Sequence, residues 1–117
     1  MNHSLISGLS LMLVMHTCIW FSTNLQLMNN PEWKERSLTI AICLAIPISL
    51  LAFYSTRHLY DALNGTAWGV RLTAFGMSYV TFPILTWLLL HESMFTPKTM
   101  TCILLSLIIV LIQVFWR

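Results

Sequence analysis

Four apolar blocks, each close to the length that crosses a lipid bilayer, constrain the fold of this chain more than any other feature. A helix needs about 20 predominantly apolar residues to cross about 30 Å of hydrocarbon. The chain is 57% hydrophobic and 9% charged, whereas soluble domains are roughly half apolar and a quarter charged. We therefore predict an all-α, multi-pass integral membrane protein. Its single domain, 1–117, has four transmembrane helices in an up-down bundle, with spans at about 5–24, 38–54, 67–90 and 99–116.

Two other interpretations of the apolar blocks fit the residues less well. A helix in a soluble core keeps a polar face, but the stretch from Met100 to Trp116 offers only Thr101, Ser106 and Gln113 as polar side chains. The first block lacks the basic start and the small-residue cleavage site of a secretory signal peptide. We expect it to be a retained helix.

Proline and glycine mark the expected helix ends. Pro31, followed by acidic residues, is typical of a helix start, and Asn64-Gly65 is a strong turn signal before the third helix. Pro97 lies in a short link that returns the fourth helix antiparallel to the third. Pro47, inside the second span, predicts a kink.

Polar side chains within the first and third spans are the main functional signal. His16 lies near the bilayer midplane if the first span is centred, and Trp20 shares its helix face. The third span carries Arg71, Tyr79 and Thr86. A polar side chain in hydrocarbon costs free energy unless another helix or a cavity satisfies it. These two spans are therefore expected to face protein or a cavity.

The charge count predicts no preferred orientation. With four spans, Arg57, Arg71 and Arg117 fall on one side of the membrane, while Lys34, Arg36 and Lys98 fall on the other. Three against three gives no positive-inside bias. Two opposite copies would then pair as an antiparallel dimer, a symmetry on which alternating access is built. The alternative is that lipid composition or an insertase imposes one topology.

Several short stretches resemble one transporter family. The residues Gly65–Val70 (GTAWGV), Trp87 and the turn from Glu92 to Pro97 are similar to the small multidrug resistance proteins of the drug/metabolite transporter superfamily. The segment 83–113 also resembles small four-span proteins of this superfamily type from marine phages. The resemblance implies a dimeric, proton-coupled carrier in the bacterial inner (plasma) membrane that moves a small solute by alternating access.

The chain departs from that family at its functional positions. The family has a glutamate deep in its first helix, whereas this chain has no acid there and His16 is the ionisable residue nearest that depth. Trp68 and Arg71 stand where the family motif has a tyrosine and a tryptophan. No glycine occurs in 106–112, where the family has a dimerisation motif. Arg71 would favour an anionic or amphipathic solute over a cation.

Five residues form the predicted substrate site, and each has a simpler alternative role. His16 would bind a proton, or it would be a neutral imidazole hydrogen-bonded to Tyr79, Gln113 or a backbone carbonyl. Arg71 would bind the solute, or its long side chain would reach the headgroups. The aromatic members would line the pocket, or they would serve as packing and interfacial anchors. The predicted set is His16, Trp20, Trp68, Arg71 and Tyr79.

The residue pattern leaves three classes of function open. The first is a small transporter working as a homodimer in the lipid bilayer. The second is a non-transporting assembly or packing subunit, which the missing glutamate favours, and the third is an ion-conducting pore. We expect no enzyme activity, cofactor or metal site, because no hydrolytic constellation or metal-ligand spacing occurs. We expect no nucleic-acid binding, because the chain has no basic surface.

Overall fold

The computed structural model describes residues 3–116 and consists of four long helices. All four are long and apolar enough to cross a membrane, which confirms the predicted all-α fold. A 3₁₀ turn, Leu25–Leu27, follows the first helix, and a π-helical turn, Thr86–Leu90, continues the third. Arg117, counted in the orientation argument, lies outside the described residues. The helices are α1 (His3–Asn24), α2 (Pro31–Ala62), α3 (Ala67–Leu85) and α4 (Pro97–Phe115).

The first helix pair, α1 with α2, is antiparallel. Gly8, near the start of α1, packs against Leu59 near the end of α2. At the other end of the pair, Phe21 of α1 and Leu44 of α2 line the same cleft. Most of the buried apolar cluster belongs to this pair, with Met12, Met15 and Leu59 among its members.

The second helix pair, α3 with α4, is also antiparallel. Gly69 lies beside Gln113, and Gly76 lies beside Ser106 and Val110. A position further along α3 thus meets a position earlier in α4, as the short 91–96 link predicts.

The two pairs meet through α1 and α3, which run parallel. Val70, near the start of α3, joins the apolar cluster that contains Leu5 near the start of α1. At the opposite ends, Trp20 of α1 is hydrogen-bonded to Thr86. The helices therefore alternate in direction along the chain, as an up-down topology requires.

The four helices form a flattened body rather than a round bundle. Its extents are 48 × 36 × 19 Å, with α1 and α3 in the centre and α2 and α4 on the outside. Of the most apolar 18-residue windows, 28% is buried in each central helix, 11% in α4 and none in α2. The outer helices thus present most of their apolar side chains to the surroundings, as lipid contact requires.

The longest helix contains the shortest apolar block. α2 has 32 residues, whereas the predicted span inside it, 38–54, has 17. The Asn30 side chain accepts a hydrogen bond from the backbone N–H of Glu32, with Pro31 in the first turn, which fixes the start at the predicted place. The helix passes without a break through Pro47. Apolar length measures the hydrocarbon crossed, so it does not locate the ends of a helix that continues into the headgroup region.

The turn between the two pairs follows the predicted Asn-Gly signal. Asn64 and Gly65 have φ of 60° and 69°, the left-handed region that glycine and asparagine tolerate best. The turn follows the last residue of α2, Ala62, and allows α3 to begin at Ala67.

Candidate functional site

The five predicted site residues do not gather in one place. Trp20 is 2% exposed and lies near the end of α1, whereas Trp68 is 77% exposed and lies in the first turn of α3. Trp20 reaches Thr86, which is 18 positions beyond Trp68 in the chain, or about 27 Å along a helix axis. A small solute therefore cannot touch both tryptophans in a single chain.

His16 is held between α1 and α3. Its imidazole lies beside the backbone of Ala74 in α3. One ring nitrogen, Nε2, is buried and has no hydrogen-bond partner among the described residues. A neutral imidazole has one donor and one acceptor nitrogen, so at least one of these two groups is left unsatisfied. Unpaired buried polar atoms are uncommon and call for an explanation.

Thr73 is a second buried polar residue in the same part of α3. It directly precedes Ala74, it is fully buried, and its Oγ1 has no partner among the described residues. The sequence pattern does not single out this residue, because a threonine in an apolar helix usually bonds to its own backbone. Two unsatisfied polar atoms therefore occur within or beside the contact between α1 and α3.

Trp20 connects α1 to the π-helical turn that continues α3. Its indole Nε1–H donates to Thr86 Oγ1 at 3.0 Å, and both groups are buried. Its ring also meets Phe21 edge to face, with 5.3 Å between the ring centroids. The observed role of Trp20 is thus packing and hydrogen bonding between helices, which is the simpler alternative for this residue.

Arg71 and Trp68 lie on the surface near the start of α3. Both side chains are exposed. Their position, within two turns of the helix start at Ala67, lets the guanidinium of Arg71 reach the headgroup layer.

A cleft opens between the end of α3 and the start of α4, and we call it the α3–α4 cleft. Its volume is about 270 Å³. Of the five predicted residues, Tyr79 alone lines it. The other lining residues include Phe82, Pro83, Thr86, Glu92, Lys98, Cys102 and Ile103.

Local sequence explains why the second pair opens here. Pro83 has no backbone N–H, so the carbonyl of Tyr79 loses its helical donor. The helix then widens into the π-helical turn Thr86–Leu90 and ends at His91, whose φ is 59°. Such turns often occur at functional sites. On the other side of the cleft, the close contact at Gly76 holds α3 and α4 together.

Two opposite charges lie on the rim of the α3–α4 cleft. Glu92 belongs to the link after α3, and Lys98 belongs to the first turn of α4. Both are exposed, and neither side chain makes a hydrogen bond or ion pair among residues 3–116. The two opposite charges are therefore not paired with each other.

A second cleft lies between α1 and the start of α2. Its volume is about 510 Å³, and its lining includes Thr17, Phe21, Trp33 and Leu44. The hydroxyl of Thr17 is already bonded to the Leu13 carbonyl. The surface of this cleft is almost wholly apolar.

Fold and site together describe a multi-pass membrane protein of four helices with a polar contact between its central helices and a cleft at one end. Within the described chain, no group of three or more His, Cys, Asp or Glu side chains is arranged to hold a metal ion. Comparisons of the chain with protein-family models, with curated proteins and with solved structures find no match.

Proposed function

We propose that the chain is a small membrane transporter of the drug/metabolite type, which works as a homodimer and moves a small anionic or amphipathic solute by alternating access. The observation that carries this proposal is the imidazole of His16. Its Nε2 is buried without a partner beside α3, inside a segment that is apolar enough to span a membrane. Ionisable groups at such positions are typical of proton and solute pathways.

In this proposal His16 binds the coupling proton. The ring lies beside the Ala74 backbone of α3, and Nε2 takes up a proton when a change in packing between α1 and α3 admits water. The resemblance to small multidrug resistance proteins supports the same arrangement, with an imidazole in place of their carboxylate. The dimer would be antiparallel, since the charge count favours neither orientation.

The experiment is solute-driven proton movement in vesicles that contain the purified protein and an internal pH-sensitive dye. Three solutes that cross bilayers poorly serve as probes: phenyl phosphate as an anion, phenylalanine as a zwitterion and methyl viologen as a cation. We expect phenyl phosphate or phenylalanine to drive proton movement, and methyl viologen to drive none.

His16→Gln keeps a hydrogen-bonding side chain but cannot carry a proton, so it should reduce proton movement to that of protein-free vesicles. His58→Gln is the matched control, because His58 is a half-buried histidine of α2. It should retain wild-type rates. Unchanged proton movement in His16→Gln would remove His16 from the mechanism.

A second candidate function is a non-transporting assembly subunit. It is favoured by the separation of the predicted site residues, since Trp68 and Arg71 are exposed and lie far from Trp20. A wild-type protein that stays folded in vesicles and moves no proton with any of the three solutes would support this candidate over the transporter.

A further inference from the structure

The α3–α4 cleft combines an apolar interior with one charge of each sign. Phe82, Pro83 and Ile103 are among its lining residues, so an apolar group gains contact with them without desolvating a fixed charge. Glu92 and Lys98 stand on the rim, with neither paired to another described side chain. This arrangement fits a ligand that has both an apolar body and two opposite charges.

Glu92 and Lys98 occupy different positions on the cleft, so a ligand with one charge of each sign would bind in one orientation. Lys98 is in the first turn of α4, where the helix dipole adds partial positive charge. A carboxylate or phosphate is therefore best placed at this end. An ammonium group is best placed near the carboxylate of Glu92, on the link between α3 and α4.

Two hydroxyl-bearing residues among those that line the cleft offer further contacts. Thr86 Oγ1 accepts a hydrogen bond from Trp20, so its own hydrogen remains free to donate. Tyr79 also lines the cleft. Together these groups suit a ligand whose apolar body carries at most a few polar atoms.

Size and location narrow the ligand class. A volume of about 270 Å³ lies just below the roughly 300–1,000 Å³ of pockets for drug-sized molecules, so the ligand is small. Glu92 and Lys98 lie where two membrane-spanning helices end and begin. Water and the headgroup layer both reach this depth.

We infer that the α3–α4 cleft binds a zwitterionic amphiphile, with the anionic group of the ligand at Lys98, its cationic group at Glu92 and its apolar body between Phe82 and Ile103. The ligand is either a soluble zwitterion with an aromatic or aliphatic side chain or the headgroup region of a zwitterionic lipid. This site is separate from the proposed proton site at His16, and binding there does not depend on transport.

Cys102 supplies a direct test, because it lines the cleft and is a free thiol. The variant Cys18→Ser/Cys43→Ser leaves Cys102 as the single cysteine. Its reaction with N-ethylmaleimide is followed in phosphatidylglycerol vesicles, with and without added phenylalanine or dihexanoylphosphatidylcholine. A depth-matched control carries Thr101→Cys in a chain whose three native cysteines are serine, since Thr101 is the exposed neighbour of Cys102.

We expect a zwitterion to slow labelling of Cys102 and to leave the Thr101→Cys thiol unaffected. Phenethylamine and 3-phenylpropanoate, which each lack one of the two charges, should protect less than phenylalanine. Protection by phenylalanine indicates a soluble ligand, whereas protection by dihexanoylphosphatidylcholine alone indicates a lipid.

The two charges are tested separately. Glu92→Gln and Lys98→Gln should each raise the half-protecting concentration about two- to fivefold, the range for exposed charge contacts. Glu35→Gln and Lys34→Gln are matched controls at the start of α2, which lies at the same membrane side in the up-down topology, and they should change nothing. The inference is overturned if no zwitterion protects Cys102, or if protection is the same in both rim variants or with benzyl alcohol.

Discussion

The first helix pair is held by large side chains, whereas the second is held by close approach of two backbones. In the first pair Met12, Met15 and Leu59 are buried, and the atoms that face Gly8 most closely belong to the Leu59 side chain. In the second pair, Gly76 faces the backbone carbonyl of Ser106 as well as the side chain of Val110.

This contrast indicates which of the two helix pairs can adjust its packing. Side chains of methionine and leucine repack when a neighbour changes, but two backbones in contact leave no flexible group to shift. The second pair therefore has one fixed crossing point at Gly76, and the α3–α4 cleft opens beyond it. Small residues at such crossings are the usual basis of helix association in membranes, because lipid tails are as apolar as leucine.

The largest effect is expected where the first pair depends most on side-chain size. Leu59→Ala removes a side chain that is wholly buried and should lower the free energy of unfolding by about 2–3 kcal/mol, the lower part of the range for such truncations. Leu44→Ala, in the same helix beside the apolar cleft, is the control and should cost less than about 1 kcal/mol. Unfolding is measured by loss of helicity in mixed micelles. Equal losses for the two variants would show that the first pair depends no more on Leu59, which is buried against protein, than on Leu44, which lines the apolar cleft.

The crossing point of the second pair should give the next largest effect. A Cβ at residue 76 would lie 2.6 Å from the Ser106 carbonyl oxygen, so Gly76→Ala forces α3 and α4 apart. We expect a loss of about 2 kcal/mol, within the usual cost of overpacking. Thermal unfolding of the detergent-solubilised protein measures it.

Gly8→Ala is the matched control for that change, because both alanines gain the same helix propensity of about 1 kcal/mol. Its Cβ would meet the Leu59 side chain at 2.7 Å, and that side chain is able to turn aside in part. A smaller loss is therefore expected. If Gly8→Ala is the more damaging of the two, the contrast between side-chain and backbone contact is wrong.

The smallest effect concerns the hydrogen bond that joins the two pairs. Trp20→Phe and Thr86→Val each remove one partner of the Nε1–Oγ1 bond. A double-mutant cycle should give a coupling of about 0.6 kcal/mol, and at most about 1.7, as for other hydrogen bonds within membranes. Trp33→Phe, at an exposed site, should show no coupling with Thr86→Val. A coupling near zero for Trp20 would mean that packing alone joins the pairs.

The packing of α4 also bears on how two copies would meet. The backbone of Ser106 and the side chain of Gln113 lie against the glycines of α3 within one chain. The side of α4 that stays exposed carries large apolar residues such as Leu104, Ile108 and Leu111. A dimer formed through α4 would therefore have to use these side chains and not a small-residue crossing.

The four helices, the fold class and most of the helix ends follow from local features of the sequence. Apolar length predicts a spanning helix because hydrocarbon excludes unpaired backbone groups. Pro31, Asn64-Gly65 and Pro97 mark helix ends because the conformations they favour are local properties of those residues. These features need no knowledge of what the helices touch.

The packing of the helices settles which side chains meet. Residues 71, 83 and 87 are separated by multiples of four, yet Pro83 is buried while Arg71 and Trp87 are exposed, because a four-residue repeat drifts around a 3.6-residue helix and the π-helical turn shifts it further. Trp20 is buried against Thr86, whereas Trp68 faces outward. In a bilayer, lipid and protein interior are both apolar, so hydropathy does not reveal which face of a helix turns inward. The direction of that face depends on how neighbouring helices pack. Helix packing therefore determines where the α3–α4 cleft lies and why the imidazole of His16 is buried between α1 and α3.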